Sequence, residues 1–557
     1  MLNHTVFILG AIFCIQCTQQ PTPDISYRVS KIEGNQPKLV VELSFAADPS
    51  GTAIVNYPNN AWGQQNLHQG ITDIALVDSA GEIEQHKDSG WFAIKHPKDL
   101  DSIRIRYALQ QDFEFISSRE TYRPIIQPEY FHVFSHNLFM VPKLGKDTVD
   151  ISLNWDDFSE ATLIHNSFGS KQRRQILRDM PLQLFGSAIF VGGDFRVYED
   201  EIEGNKISLA TRGDWIPFEE DSVMHVLKQT LQAQRAFWKD HSQEYFTVTM
   251  QPFTQEQGSS MQGTGLTNSF ATSVSNNEFM NLELLIYLFN HELMHNWIGH
   301  TIENDNEEEQ YWFSEGFTEY YTFKNIAKNR INGLDGSYFI NSINETIRNL
   351  EGSPVKNAPN KEINYDNYWS NRDFGKLPYY RGSLFAFCLD LVLQQQSNGE
   401  NSLDDLMRFL LEDTQLKEQK ITNDYFLAAA NKFFEEDIQP LFDAVIINGG
   451  DLPLAEIFEA LELSYHAETD LFDMGFELSD DRKTITSVMP GSKAEESGLK
   501  TGDQLFSRSI WYGRVDKLIE LGVKRNGVEK QISFYPIKKA KVPTLINSAE
   551  NRASLKL

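Results

Sequence analysis

Residues 291–295 read His291-Glu292-Leu293-Met294-His295, an H-E-x-x-H pattern. On a helix, histidines four residues apart lie one above the other, with Cβ atoms about 5–6 Å apart. Both imidazoles can then reach one zinc ion at about 2.0–2.1 Å. Glu292 flanks that position, where a carboxylate can hold a water molecule and take its proton. The pattern therefore predicts a helix that binds catalytic zinc.

The residues before this pattern predict a helix that crosses a domain core. Ser275-Asn276-Asn277-Glu278 has the S-x-x-E form of a capping box, which would start the helix there. The apolar residues that follow cover nearly all sides of a helix: Leu282, Leu284, Leu285, Ile286, Leu288 and Phe289. Buried histidines and a carboxylate need partners, because unpaired buried charge is costly. This context argues against a chance match in a chain with 13 histidines.

A third zinc ligand is expected from a nearby helix, because catalytic zinc usually takes three protein ligands and leaves one position for water. The downstream stretch reads Tyr311-Trp312-Phe313-Ser314-Glu315-Gly316-Phe317-Thr318-Glu319-Tyr320-Tyr321. Ser314 is interpreted as an N-cap, with Glu315 in the first turn as the third ligand. Glu319, one turn on, can accept a hydrogen bond from a ligand histidine. The alternative is a pair of surface carboxylates, as expected for the acidic residues at 303–309, but the aromatic neighbours favour the metal.

These residues resemble the gluzincin metallopeptidases, through H-E-x-x-H-x-W at 291–297 and W-x-x-E-G-F-T-x-Y-Y at 312–321. Asn296-Trp297-Ile298-Gly299 is similar to the H-E-x-x-H-x-W-F-G of the aminopeptidase N family. The E-G-F-T-x-Y-Y stretch is similar to the glycyl aminopeptidase family, whose members also carry a carboxy-terminal PDZ domain. The spacer between His295 and Glu315 is one residue longer than the first branch uses and shorter than expected of the second. The domain order favours the second branch, and either implies one zinc per chain and aminopeptidase activity.

Both branches use the tyrosine of a Y-x-K-G motif to stabilise the oxyanion of the tetrahedral intermediate. Pro378-Tyr379-Tyr380-Arg381-Gly382 places Tyr379 at that position, with Arg381 in place of lysine as a candidate substrate contact. One such donor is typically worth about 10²–10³ in rate. The alternative is a core tyrosine that caps a helix, and the metal pattern favours the catalytic role.

Both branches also place a glutamate in a glycine-rich strand, where it binds the amino group of the substrate. The matching stretch is Gly263-Thr264-Gly265-Leu266-Thr267-Asn268-Ser269, and Thr267 stands where the glutamate would be, between the candidate contacts Gly265 and Asn268. A neutral hydroxyl cannot replace a carboxylate as counter-charge to an ammonium group. Three hypotheses therefore stay open: an aminopeptidase, an endopeptidase or peptidase with atypical amino-terminus recognition, and an inactive zinc-containing protein that binds peptides. The intact Glu292 and Tyr379 argue against the last.

The 557 residues predict a multidomain α+β protein. The expected units are a leader at 1–17, an N-terminal β-sandwich-like domain at 25–165, a thermolysin-like catalytic domain at 166–334, an α-helical domain at 335–465 and a PDZ-like domain at 467–540. The last resembles a PDZ domain through Gly475-Phe476 and the stretch Pro490-Gly491-Ser492-Lys493-Ala494-Glu495-Glu496-Ser497-Gly498-Leu499. The resemblance implies a peptide ligand whose carboxylate is held by the Gly475-Phe476 loop.

The net charge of the chain and its first residues indicate which partners the protein binds and where it is located. The net charge of −28 argues against nucleic-acid binding and general adhesion to anionic lipid. Residues 6–13 form a short apolar core typical of a signal peptide, followed by Cys14 and Cys17, of which Cys17 is a candidate lipid-modified cysteine. We therefore expect export to the periplasm, cell envelope or extracellular space, with membrane contact only through such an anchor.

Two further residues are interpreted as structural. They are His300, which is out of helical phase with His295, and Cys388, which lies in an apolar stretch.

Overall fold

The computed structural model describes residues 22–77, 80–86 and 89–557. The expected leader, with Cys14 and Cys17, lies outside the described residues. None of the helices in the described ranges has both the length and the apolar character needed to span a membrane.

The N-terminal domain is built from strands, several of which alternate buried and less buried side chains. Its elements are β1 (Ile25–Ile32), β2 (Lys38–Ala46), β3 (Thr52–Asn56), β4 (Ile71–Leu76), β5 (Glu82–His86), β6 (Trp91–Lys95), β7 (Ser102–Gln110), β8 (Ile125–Ile126), β9 (Tyr130–Phe134), α1 (Ser135–Leu138), β10 (Val141–Pro142), β11 (Thr148–Trp155), β12 (Leu163–Asn166), β13 (Gly169–Ser170), β14 (Arg174–Pro181), α2 (Leu182–Gly186) and β15 (Ile189–Gly193).

These strands form three sheets, ordered β14-β11-β1-β2-β7-β4, β10-β3-β6-β5 and β13-β12-β15-β9-β8. The predicted domain end at residue 165 is wrong. β14 pairs with β11 and β15 pairs with β9, so the β domain continues to Gly193. The third sheet also packs on the catalytic domain, where Tyr130 and Val191 share a core with Ala210 and Leu266.

The catalytic domain places a mixed sheet against long helices. Its elements are β16 (Arg196–Ile202), β17 (Asn205–Thr211), α3 (Glu220–Trp238), β18 (Tyr245–Phe253), β19 (Met261–Leu266), β20 (Ser269–Ser275), α4 (Leu282–Met294), α5 (Glu307–Ser314) and α6 (Gly316–Lys328). The strand order is β16-β17-β18-β20-β19, which leaves β19 at one edge. Leu285, Phe289 and Leu293 of α4 share a core with Val248 and Phe270 of the sheet, so α4 crosses the domain core as predicted.

The helical domain surrounds one long helix, in which residues 381–391 are all buried. Its elements are α7 (Gly336–Gly352), α8 (Tyr365–Ser370), α9 (Arg372–Gln396), α10 (Leu403–Lys417), α11 (Asn423–Ala430), α12 (Gln439–Phe442) and α13 (Leu454–Ala460). A Cβ added to Gly382 of α9 would lie 2.1 Å from the Trp312 carbonyl oxygen and 2.8 Å from Gly316 Cα. Glycine at residue 382 therefore lets α9 lie directly against the junction of α5 and α6. Cys388 is fully buried in this domain, as predicted.

A cluster of buried charges ties α6 to α9 and α10. Lys324 of α6 lies 2.8 Å from Asp390 of α9 and 2.7 Å from Asp404 of α10. The Tyr320 hydroxyl also donates to Asp390. Burial alone would raise the pKa of Asp404, but Lys324 and Lys328 outweigh it and hold that pKa at about 2. Since all three helices meet here, the cluster fixes the helix that follows Glu315.

The C-terminal unit has its own small core, which includes Phe476, Ile485 and Leu521. Its elements are β21 (Tyr465–His466), β22 (Thr469–Phe472), β23 (Phe476–Leu478), β24 (Ile485–Val488), α14 (Lys493–Glu496), β25 (Gln504–Ser509), β26 (Ile519–Arg525), β27 (Val528–Phe534), β28 (Ile537–Ala540), β29 (Thr544–Leu545) and α15 (Ala549–Ser554). β21 pairs with β29 and β22 pairs with β28, so the first strands of the unit are joined to its last strands. The Asn344 side chain of α7 bonds the backbone of Leu545 in both directions at 2.8 Å.

Candidate metal centre

Three predicted ligands converge at the end of α4. Ligand atoms of His291, His295 and Glu315 lie within 4.8 Å of one another. Glu315 Oε2 is 3.3 Å from His291 Nε2 and 3.7 Å from His295 Nε2. Donors that each lie about 2.0–2.1 Å from one tetrahedral zinc ion are about 3.3 Å apart. The two imidazoles and one carboxylate therefore fit a single zinc ion, with a coordination position left for water.

The local starts of the metal-site helices differ from the prediction. α4 begins at Leu282, and its N-cap is Asn281, whose side chain accepts a hydrogen bond from the Leu284 amide at 3.0 Å. Ser275 instead ends β20, so the predicted capping box is wrong. Ser314 is the last residue of α5 rather than an N-cap, and Glu315 occupies the junction between α5 and α6. The junction directs Glu315 to the metal position without a capping serine.

Both histidines are oriented by hydrogen bonds on the side away from the metal position. His291 Nδ1 lies 3.1 Å from Glu319 Oε2, which also accepts from the Tyr287 hydroxyl at 2.8 Å. His295 Nδ1 lies 3.0 Å from the Ile298 carbonyl oxygen, so it donates there. Each contact directs an Nε2 atom toward Glu315, as expected for zinc ligands. Glu319 thus lies where the sequence predicted, whereas Tyr287 was missed, although it stands four residues before His291 on the same helix face.

The charges around the site favour a cation. Burial opposes a charge on His291, but Glu315 and Glu319 outweigh it and raise its pKa to about 10. Burial would also raise the pKa of Glu315, yet the two histidines lower it to about 2. Burial raises the pKa of Glu292, and His291 and His295 only partly oppose this. The site therefore stabilises positive charge between the ligands and keeps Glu292 more basic than a solvated carboxylate.

Tyr379 lies beside the ligands, on α9. Its ring stacks on the His291 ring at 5.5 Å between centroids, with 16° between the planes. Burial raises its pKa well above the usual value, so the phenol stays protonated and can donate a hydrogen bond. The Tyr368 hydroxyl lies 3.4 Å from the Tyr379 hydroxyl and 3.2 Å from Glu315 Oε1. Sequence reasoning missed Tyr368, which comes from the separate short helix α8.

Arg381 does not face the cleft, and its predicted substrate contact is wrong. Its side chain is 2% exposed, and Nη2 donates to the carbonyl oxygens of Lys356 and Ala358 at 2.7 and 2.8 Å. Two residues correspond to about 200° around a helix axis, so Tyr379 and Arg381 point to opposite sides of α9. Arg381 instead holds the loop that precedes α8.

The strand predicted to meet the amino group contacts the N-terminal domain. The Thr267 hydroxyl donates to the Leu184 carbonyl oxygen at 2.7 Å, and the Tyr122 hydroxyl donates to the Gly263 carbonyl oxygen at 2.9 Å. Asn268 has φ of 51°, as a residue of the turn between β19 and β20. Gly265 borders the His300 ring, whose Cε1 would be 3.4 Å from an added Cβ. Thr267 therefore offers no negative charge to a substrate ammonium group, and its hydroxyl proton is already donated to the Leu184 carbonyl oxygen.

The predicted carboxylate loop of the C-terminal unit is closed by its own hydrogen bonds. The Gly475 amide donates to Asp473 Oδ1 at 2.7 Å, and the Gly475 carbonyl oxygen accepts from the Met489 amide at 2.8 Å. Phe476 is 2% exposed and belongs to the core of the unit. In this conformation the Gly475 amide is engaged, and the role of Gly475 and Phe476 in holding a carboxylate stays a prediction.

Part of the chain matches a known family in sequence, and the fold is similar to that of solved structures. Residues 230–444 match the peptidase family M1 domain. The fold is similar to that of an aminopeptidase N family protein from Idiomarina loihiensis, with a TM-score of 0.71 and 15% identity over 96% of this chain and 99% of that chain. An M1 zinc metallopeptidase from Deinococcus radiodurans gives a TM-score of 0.46 and 12% identity, over 77% and 94% of the two chains. No curated protein matched the sequence.

Proposed function

We propose that this protein, a zinc metallopeptidase with an M1 domain at residues 230–444, is an exported aminopeptidase. The observation that carries the proposal is the convergence of His291, His295 and Glu315 beside Glu292, with the Tyr379 ring stacked on His291. The family match supports peptide-bond hydrolysis, and the aminopeptidase-like relatives favour action at the amino terminus. A preference for glycyl substrates, which the E-G-F-T-x-Y-Y stretch suggests, stays a prediction.

The proposed reaction assigns one task to each side chain. Bound zinc supplies a Lewis acid that polarises the scissile carbonyl and lowers the pKa of a bound water to about 7. His291, His295 and Glu315 are the proposed ligands. Glu292 takes a proton from the attacking water and returns it to the leaving amine, a role that its burial-raised pKa supports. Tyr379 donates its hydroxyl hydrogen to the oxyanion of the tetrahedral intermediate.

Export and the PDZ-like character of the C-terminal unit belong to the same proposal. The apolar stretch at residues 6–13 supports a leader, with Cys17 as the candidate lipid attachment site. A PDZ-like unit is supported by the β23–β24 hairpin, the single turn α14 and the sheet β25-β26-β27. No helix is described within residues 510–518, and the Gly475 amide is engaged. We therefore propose that the unit forms a wall of the cleft rather than a separate peptide receptor.

An endopeptidase is the second candidate, and Thr267 favours it. An aminopeptidase needs a counter-charge for the substrate ammonium group, and the hydroxyl of Thr267 donates to a backbone carbonyl instead. A blocked amino terminus would then be tolerated in the cleft.

The first experiment measures zinc content and compares alanyl and glycyl anilides with an internally quenched peptide whose amino terminus is blocked. Glu292→Gln should lose at least about 10³ in rate with zinc retained, whereas Glu309→Gln, an exposed carboxylate on α5, should behave as wild type. Cleavage of the anilides alone supports the aminopeptidase. Equal cleavage of the blocked peptide supports the endopeptidase, and stoichiometric zinc without any cleavage supports a peptide-binding protein.

A further inference from the structure

We propose that the cleft between α9 and the C-terminal unit is an anion-binding subsite for the free carboxylate of a short peptide substrate. The cleft has a volume of about 340 Å³ and lies against the helix that carries Tyr379. The proposal rests on the proposed peptidase function, because it names the substrate end that the same active site would recognise.

Three of the four cations of this cleft form no ion pair with a carboxylate of the described residues. They are Arg348 of α7 and Arg372 and Lys376 of α9. Glu345, Asp373 and Asp516 also line the cleft without an ion pair to these three, although the charge of Glu345 acts on Arg348.

The C-terminal unit supplies the opposite wall. Phe472 and residues 513–516 line the cleft from this side, and Arg514 there is already paired with Asp516 at 2.7 Å. β22, which ends at Phe472, packs against α7, so this wall lies directly against one helix of the cleft. The site is therefore a cleft between two elements, in which Arg348 is half-buried and Arg372 and Lys376 are exposed.

An anionic ligand explains why these cations stay unpaired. The chain carries a net charge of −28, so carboxylates are abundant and could have neutralised them if they served stability alone. Burial lowers the pKa of Arg348, and the charge of Glu345 only partly opposes this. Guanidinium groups bind carboxylates through paired, charge-assisted hydrogen bonds. A carboxylate in the cleft would supply the missing acceptor.

The cleft is close enough to the metal centre to hold the same substrate molecule. Lys376 Nζ lies 4.1 Å from the centre of the Tyr379 ring, which in turn stacks on His291 at 5.5 Å. An extended peptide advances about 3.3 Å per residue, so a carboxylate two or three residues beyond the scissile bond reaches this region. The expected substrates are therefore tripeptides and other short peptides.

The direction of the substrate follows from the two cleft walls. β19, which the family resemblance assigns to the amino end, contacts the N-terminal domain through Thr267 and Gly263. The basic cleft is formed with the C-terminal unit instead. A peptide that crosses the metal centre between these walls places its carboxylate end near Arg348 and Arg372.

The test compares trialanine with trialanine amide, which share the scissile bond and differ in one charge. We expect wild-type kcat/KM to be at least about tenfold higher for the free acid, a preference that salt weakens. Arg348→Gln combined with Arg372→Gln should bring the ratio of the two kcat/KM values close to one. Arg174→Gln is the matched control, because it removes an exposed arginine of the N-terminal domain. A wild-type ratio near one, or an unchanged ratio in the double variant, overturns the proposal.

A binding measurement separates this proposal from the peptidase proposal. Zinc-loaded Glu292→Gln protein is titrated calorimetrically with trialanine and with its amide, and thermal melting checks that every variant is folded. Tighter binding of the free acid that depends on Arg348 and Arg372 supports the subsite even if the wild-type protein cleaves neither peptide. Cleavage of both peptides with equal binding of acid and amide supports the peptidase and rejects the subsite.

Discussion

Replacing Glu319 with glutamine should weaken zinc binding about 10–100-fold, the usual cost of losing a partner of a ligand histidine. Glu319 Oε2 faces His291 Nδ1 at 3.1 Å and the Tyr287 hydroxyl at 2.8 Å, so one charged oxygen serves both donors. The glutamine oxygen can still accept from both, but the negative charge that makes His291 a stronger ligand is gone. Hydrogen bonds to charged groups are worth about 1.5–3 kcal/mol, which agrees with a loss of about 1.4–2.7 kcal/mol in zinc binding.

Zinc affinity is measured by competition between apoprotein and a chelator at pH 7, and peptidase activity is then measured at saturating zinc. Most of the activity should return, because Glu292 and the three ligands are unchanged. Tyr287→Phe removes only the phenol donor and should weaken zinc binding less than Glu319→Gln. A zinc affinity of the glutamine variant within about twofold of wild type would refute the reasoning, since His291 would then not depend on this charge.

Four further predictions concern catalysis, a buried ion pair, the pH dependence of stability and helix packing. Tyr379→Phe should lower kcat/KM by about 10²–10³ with zinc content unchanged, as measured by steady-state kinetics and metal analysis. Lys324→Met should cost about 3–5 kcal/mol in denaturant unfolding, because it leaves Asp390 buried without its cation and Asp404 with Lys328 alone. The folded-state pKa of Asp404, about 2, lies below the unfolded value of about 3.9, so its contribution to stability is complete above that value and is lost as pH falls toward 2. Asp404→Asn should therefore flatten the loss of unfolding free energy measured between pH 5 and pH 2. Gly382→Ala should cost at least about 1–3 kcal/mol in the same assay, because its Cβ would meet the Trp312 carbonyl oxygen at 2.1 Å.

The ligand set could be predicted because each part depends on local spacing. His291 and His295 stand one helical turn apart, and α4 is apolar enough to be assigned to the core from its sequence. Glu315 and Glu319 are again one turn apart, so either both or neither face the metal. These spacings do not depend on where each helix begins. The wrongly predicted capping residues therefore did not change which ligands were predicted.

The wrong boundaries have a common physical origin, which is tertiary pairing. Ser275 has the chemistry of an N-cap, but it belongs to β20, whose pairing with β18 extends through Ser275. Asn281 then caps α4 with equally suitable chemistry. The N-terminal domain likewise extends to Gly193 because β14 and β15 pair with strands far earlier in the chain, and local sequence does not encode such partners.

Side chains that enter the metal site from separate elements also could not be predicted from the sequence. Tyr368 enters the site from α8, and its distance from Glu315 depends on how α8 packs, not on any spacing along the chain. Arg381 shows the converse error, because a family motif placed it beside Tyr379 although helical geometry turns the two residues apart. The helical period alone turns Arg381 away from the side of α9 that carries Tyr379.

Recognition in this cleft is weighted toward the carboxylate end of the substrate. At the amino end, Thr267 presents a hydroxyl whose proton is already donated to Leu184, so the ammonium group meets no fixed counter-charge from this residue. At the other end, Arg348, Arg372 and Lys376 form no ion pair within the described residues. An aminopeptidase with this arrangement would position its substrate chiefly by the carboxylate. It should therefore lose more kcat/KM when the carboxylate of a tripeptide is amidated than when its amino group is acetylated. The opposite order would place the main electrostatic anchor on the amino side, with a carboxylate other than residue 267 to supply it.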